Sequence, residues 1–232
     1  MPDDKEMGIW EHINELRQRL MKAVLALVVG AIISFVYAQK LIEILAVPIN
    51  GLQNLTAIEV TENVSVFFRV SLLAGFILAF PVIFYQFIAY IIPGLTPEET
   101  KSLLIFIPFA TVLFIAGVAF AYFVMMPSAI PFLVSFLGVQ TKPRISNYID
   151  FVTNLIFWIG VVFELPLVAF ALAKFKVITA KLLIQQWRFA IVIIAIIAAL
   201  VTPTPDPINM GLLMVPLAGI YLLSVLMAWI AR

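Results

Sequence analysis

From residue 23 almost to the C-terminus, long apolar runs follow one another, each interrupted by a short polar segment. A helix that crosses a bilayer needs about 20 predominantly apolar residues. The runs near 23–38, 66–92, 103–126, 149–173, 187–201 and 208–230 meet or approach that length. The pattern predicts an all-α integral membrane protein of six transmembrane helices, forming a single membrane domain over 1–232. Pro81, Pro108, Pro166 and Pro216 fall inside four of the runs. Each removes an N–H and crowds the preceding turn, so kinks packed against neighbouring helices are expected. The fifth run is short. From Phe189 to Val201 it covers about 20 Å at 1.5 Å per residue, against a hydrocarbon core of ~30 Å. Either Trp187 and Arg188 snorkel at its start or the bilayer thins there. The Thr-Pro-Thr-Pro-Asp-Pro segment at 202–207 reads as a proline-locked turn that makes an antiparallel hairpin of the last two runs.

Ahead of the first run, residues 8–22 have helical periodicity. Ile9, Ile13, Leu16 and Leu20 share one face, while Glu11, Glu15, Gln18 and Lys22 line another. The apolar face should rest on the membrane interface or on another helix, with Trp10 as an anchor. Two longer connections, 39–63 and 127–148, carry Pro48, Asn50, Gly51, Pro127, Pro131, Gly138 and Pro143. They are expected to cap the face opposite the N-terminus, with short helices in them.

Composition strengthens the membrane reading. Hydrophobic residues make up 64% of the chain and charged ones 12%, and the mean hydropathy is +1.14; soluble domains are roughly 45–50% apolar and about 25% charged. There is no cysteine, which excludes disulfides and thiolate metal sites. The first seven residues carry Asp3, Asp4, Lys5 and Glu6 with no apolar run behind them before Lys22, unlike a cleavable signal peptide. The net charge of +1 is uninformative, but its distribution is not. With the N-terminus inside, Lys5, Arg17, Arg19, Lys22, Lys101, Lys174, Lys176, Lys181, Arg188 and Arg232 all lie inside, against Lys40, Lys142 and Arg144 outside. That is ten against three, with Arg69 near the outer end of the second run, so both termini are expected in the cytoplasm.

Candidate chemistry is sparse. Phosphate-loop, dinucleotide-binding and zinc-protease motifs are missing, and His12 is the single histidine. Enzymatic activity, a resident cofactor, a metal and nucleic acid are therefore not expected. Glu164 stands inside the fourth run, where a bare carboxylate costs at least ~2.5–3.5 kcal/mol. It either serves a substrate-facing or proton-handling cavity, or is satisfied by a neighbouring helix, Asn154 or a backbone amide near Pro166. Arg69, at a helix end, reads most simply as a snorkelling side chain. Glu15 either pairs locally with Arg19 at i,i+4 or faces an incoming guanidinium, for which a carboxylate is a selective bidentate acceptor. Glu98 and Glu99 follow Thr96-Pro97 at a helix start, an ordinary macrodipole arrangement when taken alone.

Taken together, several segments carry a family pattern. His12-Ile13-Asn14-Glu15-Leu16-Arg17-Gln18-Arg19-Leu20 resembles the H-L-x-E-L-R-x-R-L opening of the TatC family, the signal-binding core of the twin-arginine protein translocase. Pro81-Val82-Ile83-Phe84-Tyr85-Gln86-Phe87 is similar to its P-V-I-x-Y-Q-F, and Pro93-Gly94-Leu95 through Glu99 to its P-x-L-x-x-x-E loop. Phe163-Glu164-Leu165-Pro166 matches F-E-x-P, and the turn ending in Asp206 its T-P-x-D. The resemblance covers most of the chain, in the family's order. It implies six helices in a concave bundle, in the cytoplasmic (inner) membrane of a prokaryote, that binds twin-arginine signal peptides of folded cargo. It also implies single-span TatA- and TatB-like partners, assembly into an oligomeric receptor complex and energy from the proton-motive force. By position, Glu15 and Glu99 would receive the two arginines and Arg17 would shape the same surface. Glu164 would be the polar group of the concave face, while Pro48, Gln86 and Asp206 would serve structure or partner contact. The chain departs from the pattern at Tyr90-Ile91, at Thr96-Pro97, by an extra residue before Asp206, and at Leu222, where many members carry Glu. The competing reading is a small proton-coupled secondary transporter built on Glu164.

Overall fold

A computed structural model describes residues 9–92, 97–135, 142–201 and 207–231. Among these the protein is all-helical. Helix α1 runs Ile9–Leu45, α2 Glu62–Ile91, α3 Pro97–Phe120, α4 Met126–Ser135 and α5 Ile145–Val162. Then come α6 at Leu165–Lys174, α7 at Ala180–Gln185, α8 at Trp187–Val201 and α9 at Pro207–Ile230. Five stretches are long and apolar enough to cross a membrane, and α8 is a shorter apolar helix.

The amphipathic segment and the first apolar run form one helix. Thirty-seven residues of α1 reach roughly 55 Å at 1.5 Å each, well beyond a ~30 Å core, so several turns must project from the bilayer. Helix α2 lies along α1 at close range, and glycine makes that approach possible. A Cβ on Gly75 would stand 2.5 Å from the Ala31 nitrogen, and one on Gly30 2.5 Å from the Gly75 carbonyl oxygen. Such small-residue contacts are a common means of helix association in lipid, where no hydrophobic force drives helices together.

The third stretch runs farther than proline positions alone indicate. A single π-helical turn, Ala121–Met125, joins α3 to α4, so helix continues past Pro127 and Pro131 to Ser135. Met126, Ala129 and Ile130 are buried in the core, and that burial holds the segment helical. The Ser128 and Ser135 hydroxyls donate to the carbonyls of Val124 (2.8 Å) and Pro131 (2.6 Å), re-using carbonyls near the two prolines. The connection beyond is correspondingly shorter.

The fourth stretch, in contrast, is interrupted by a tighter turn of right-handed backbone. Residues 163–164 form a turn between α5 and α6, and Pro166 sits in the first turn of α6, where its missing N–H costs nothing. Pro81, Pro108 and Pro216 lie within continuous helices. The core is built from α2, the α3–π–α4 helix and α5, with Ile194 and Ala198 of α8 and Leu213, Leu217 and Ile220 of α9 closing one side. Helix α6 packs on α9, where Ala173, Ala180 and Ala228 cluster.

The bundle has two dissimilar ends. At the cap end, two 3-10 turns (Val47–Ile49 and Leu52–Asn54) follow α1. Thr56 there forms a bridge with Arg144: the Thr56 N–H donates to the Pro143 carbonyl (3.1 Å) and the Ile145 N–H to Thr56 (2.9 Å). The opposite, basic end carries the start of α1 and the ends of α6 and α9.

Candidate functional site

At the basic end, helical spacing puts Glu15 and Arg19 one turn apart on α1. Arg19 Nη2 lies 3.2 Å from Glu15 Oε1, with the carboxylate 19% exposed. The same guanidinium reaches the buried Gln86 of α2, Nη1 to Oε1 at 3.5 Å. One turn nearer the N-terminus, the His12 ring stacks on Tyr90 at 4.6 Å between centroids, a second tie between the two helices. Beside these polar groups runs an apolar groove of about 190 Å³ walled by Leu16, Leu20, Ala23, Ile83 and Phe87. A carboxylate, a hydrogen-bonding amide and an apolar trough thus adjoin on the α1–α2 hairpin. An i,i+4 pair contributes only ~0.3–0.5 kcal/mol, so Arg19 is an exchangeable partner for Glu15. A bidentate guanidinium from outside makes a stronger pair.

Arg17 is exposed and makes no ion pair among the described residues. Glu99 lies in the first turn of α3. Its side chain lies outside what the structure describes, and so does Asp206. Pro48 is in the first 3-10 turn of the cap, where it walls a cavity of about 420 Å³ with Asn54, Ile130, Pro131 and Lys142.

Glu164 sits at the α5–α6 turn, as the residue before α6. It is 7% exposed, its side chain does not cap the helix, and neither carboxylate oxygen has a hydrogen-bond partner among the described residues. Asn154, one of the partners expected for it, is used elsewhere. Its Oδ1 accepts from Arg69 Nη2 at 3.1 Å, while Arg69 Nε donates to Thr153 Oγ1 at 2.9 Å and Nη1 pairs with Asp150 at 2.6 Å. Arg69 is therefore no free snorkelling side chain. It ties α2 to α5 through three residues of one α5 turn.

The sequence reading also passed over the cap-end charge cluster. Arg144 pairs with Glu59 at 2.8 Å and with Glu62, whose side chain is 3% exposed. Hydrogen bonds to Glu59 and Glu62 hold the Arg144 guanidinium pKa above its ordinary value. Tyr148 and Tyr122 donate to the Leu45 and Ile44 carbonyls at 2.7 and 3.0 Å, satisfying the last turn of α1. The available signal was the placement of Arg69 and Asp150 just inside apolar runs, where an isolated charge demands a partner.

Comparison with known proteins gives one answer at the level of sequence and of fold. Residues 11–216 match the family model described as Sec-independent protein translocase protein (TatC). The protein of that name from Carboxydothermus hydrogenoformans is 37% identical over 97% of this chain and 94% of its own length. Its counterpart from Deinococcus radiodurans is 38% identical over 100% of this chain and 89% of its own length. A crystal structure of the twin-arginine translocase receptor TatC superposes with a TM-score of 0.84 at 34% identity, covering 95% of this chain and 99% of that one. None of these matches is a small-solute transporter.

Proposed function

This chain belongs to the TatC family of Sec-independent protein translocase proteins, and from that premise we propose that it is the receptor that binds twin-arginine signal peptides. The observation that carries the reading is the adjacency on α1 and α2 of the Glu15 carboxylate, paired among the described residues with Arg19 alone, and an apolar groove. A peptide with arginines followed by an apolar stretch has the complementary chemistry, its guanidinium on Glu15 and its apolar residues along Leu20, Ala23 and Ile83. Gln86 offers an acceptor to a second donor nitrogen. Glu99, at the head of α3, supplies the second carboxylate of the acidic pair, with Arg17 shaping the surrounding surface.

In this reading both termini are cytoplasmic, which the excess of lysine and arginine in the corresponding segments supports. The protein resides in the cytoplasmic membrane of a prokaryote, within an oligomeric complex containing TatA- and TatB-like single-span subunits, and the proton-motive force supplies the energy. Glu164 is the polar group of the concave membrane face, and the cap around Pro48 and the residue Asp206 support assembly with partners.

The test is binding of a fluorescent twin-arginine signal peptide to the detergent-solubilised full chain, with a twin-lysine peptide as control. Removing one carboxylate from a charge-paired site costs about 2–3 kcal/mol, so Glu15→Ala and Glu99→Ala should each weaken binding by about 30- to 160-fold. The twin-lysine peptide should bind weakly to all forms, because lysine lacks the planar fork. Equal binding of both peptides to all three proteins would refute the assignment.

A further inference from the structure

A second apolar groove, of about 240 Å³, opens between α3, α6 and α9 on the basic half of the bundle. Phe106 and Phe109 of α3, Pro166 and Phe170 of α6, and Leu223 and Met227 of α9 form its walls. It is separate from the α1–α2 site. Along α6, the distance from Pro166 to Lys174 is about 12 Å at 1.5 Å per residue, most of the ~15 Å depth of one hydrocarbon leaflet.

The groove has a charged mouth. Lys174 Nζ stands 6.0 Å from the centroid of the groove residue Phe170. Beyond it lie Lys176, Lys181 and Arg188, all exposed, and none of the four makes an ion pair among the described residues. The sequence contains no Asp or Glu from residue 165 to residue 205, so these cations have no acidic neighbour on their own segment. Trp229 (71% exposed) and Trp187 (51%) flank the same end, as aromatic residues do at a membrane–water interface. An interface at Lys174 puts the groove within the acyl region.

The backbone at Lys176 adds an independent observation. The Lys176 N–H donates to Ala173 (3.0 Å) and the Val177 N–H to Leu172 (2.9 Å), the paired bonds of a Schellman cap that ends α6. Lys176 holds the left-handed position of that cap, with φ at 61°. Glycine is the ordinary occupant, and the Cβ of an L-residue there crowds the following carbonyl oxygen. The position fixes where the Lys176 side chain leaves the end of α6, two residues beyond Lys174.

We propose that the α3–α6–α9 groove binds an anionic phospholipid, with one acyl chain between the helices and the phosphate held by Lys174 and Lys176. The apolar trough accounts for the chain and the unpaired cations for the phosphate. Charge complementarity at the mouth distinguishes this occupant from a neutral lipid or an apolar partner helix.

The test adds phosphatidylglycerol or phosphatidylcholine of identical chains to delipidated full-length protein and reads retained lipid by native mass spectrometry. The wild type should retain phosphatidylglycerol preferentially, and the preference should fall about fivefold for each of Lys174→Gln and Lys176→Gln. Leu223→Trp, which fills the groove, should lower retention of both lipids and leave their ratio unchanged. The ratio is read within one sample, so partial loss of folded protein does not distort it. Equal retention of the two lipids by the wild type, or a double lysine variant as selective as the wild type, overturns the proposal. So does undiminished retention by Leu223→Trp, or full competition by glycerol phosphate, which has no chain for the groove.

Discussion

The two ends of the bundle treat charge in opposite ways. At the cap end Arg144 holds Glu59 and Glu62, Arg69 holds Asp150, Thr153 and Asn154, and two tyrosine hydroxyls close the last turn of α1. At the basic end Glu15 has only a one-turn neighbour, and Lys174, Lys176, Lys181 and Arg188 have no carboxylate at all among the described residues. Pairing over separations of 81 to 85 residues fixes elements to one another. Charges left open, or held by a partner that contributes a few tenths of a kcal/mol, are available to a ligand. In the function proposed above, the cap end builds the scaffold and the basic end does the recognising.

The largest effect that this contrast predicts is at Arg144. Arg144→Ala strands the buried Glu62 carboxylate, whose second oxygen already has no hydrogen-bond partner among the described residues. It should give the greatest fall in thermal midpoint of any single charge removal, measured on the purified protein in detergent. Lys174→Gln, at the other end, should leave the midpoint unchanged. Adding Glu62→Gln to Arg144→Ala should recover part of the loss, because it removes the stranded charge. Comparable falls for Arg144→Ala and Lys174→Gln would erase the distinction between the ends.

A smaller effect is expected at Tyr148. Tyr148→Phe keeps the buried ring and deletes the hydroxyl that donates to the Leu45 carbonyl at 2.7 Å. The loss should be about 1 kcal/mol, which is roughly 2–4 °C in the midpoint of a chain this size. Signal-peptide affinity should not move, since the bond lies at the opposite end from Glu15. A change in peptide affinity would mean that the cap transmits strain along α1 to the recognition surface.

What could be read from the sequence, and what could not, follows the same division between local and distant contacts. The apolar runs, the amphipathic start of α1 and the carboxylate at Glu15 depend on periodicity and composition, which neighbouring residues already display. Short helices were expected in the connection, but the continuity of α3 through Pro127 and Pro131 was hidden, because local proline chemistry points to an interruption and only burial of Met126, Ala129 and Ile130 reverses it. The turn at 163–164 was visible in advance, because Glu164 and Pro166 marked the place and proline chemistry calls for a kink there. Arg69 was read as a helix-end cation because its partners, Asp150, Thr153 and Asn154, lie on α5. No periodicity in one chain links two helices so far apart.

The smallest predicted stability effect has the opposite sign, and it separates structure from use most cleanly. Lys176 occupies the left-handed position of the α6 cap, where its Cβ costs about 1 kcal/mol. Glycine at this position would remove that cost, but it would also free the unfolded chain, which returns about half the gain. Lys176→Gly should therefore raise the midpoint by only about 1–2 °C, the equivalent of roughly 0.5 kcal/mol. In the same protein the preference for phosphatidylglycerol over phosphatidylcholine should fall about fivefold. A more stable protein with a poorer lipid site is the outcome in which the strained lysine is kept for its charge. A lower midpoint would mean instead that Lys176 supports the α6–α7 turn, and an unchanged lipid preference would leave its charge without a role at the groove.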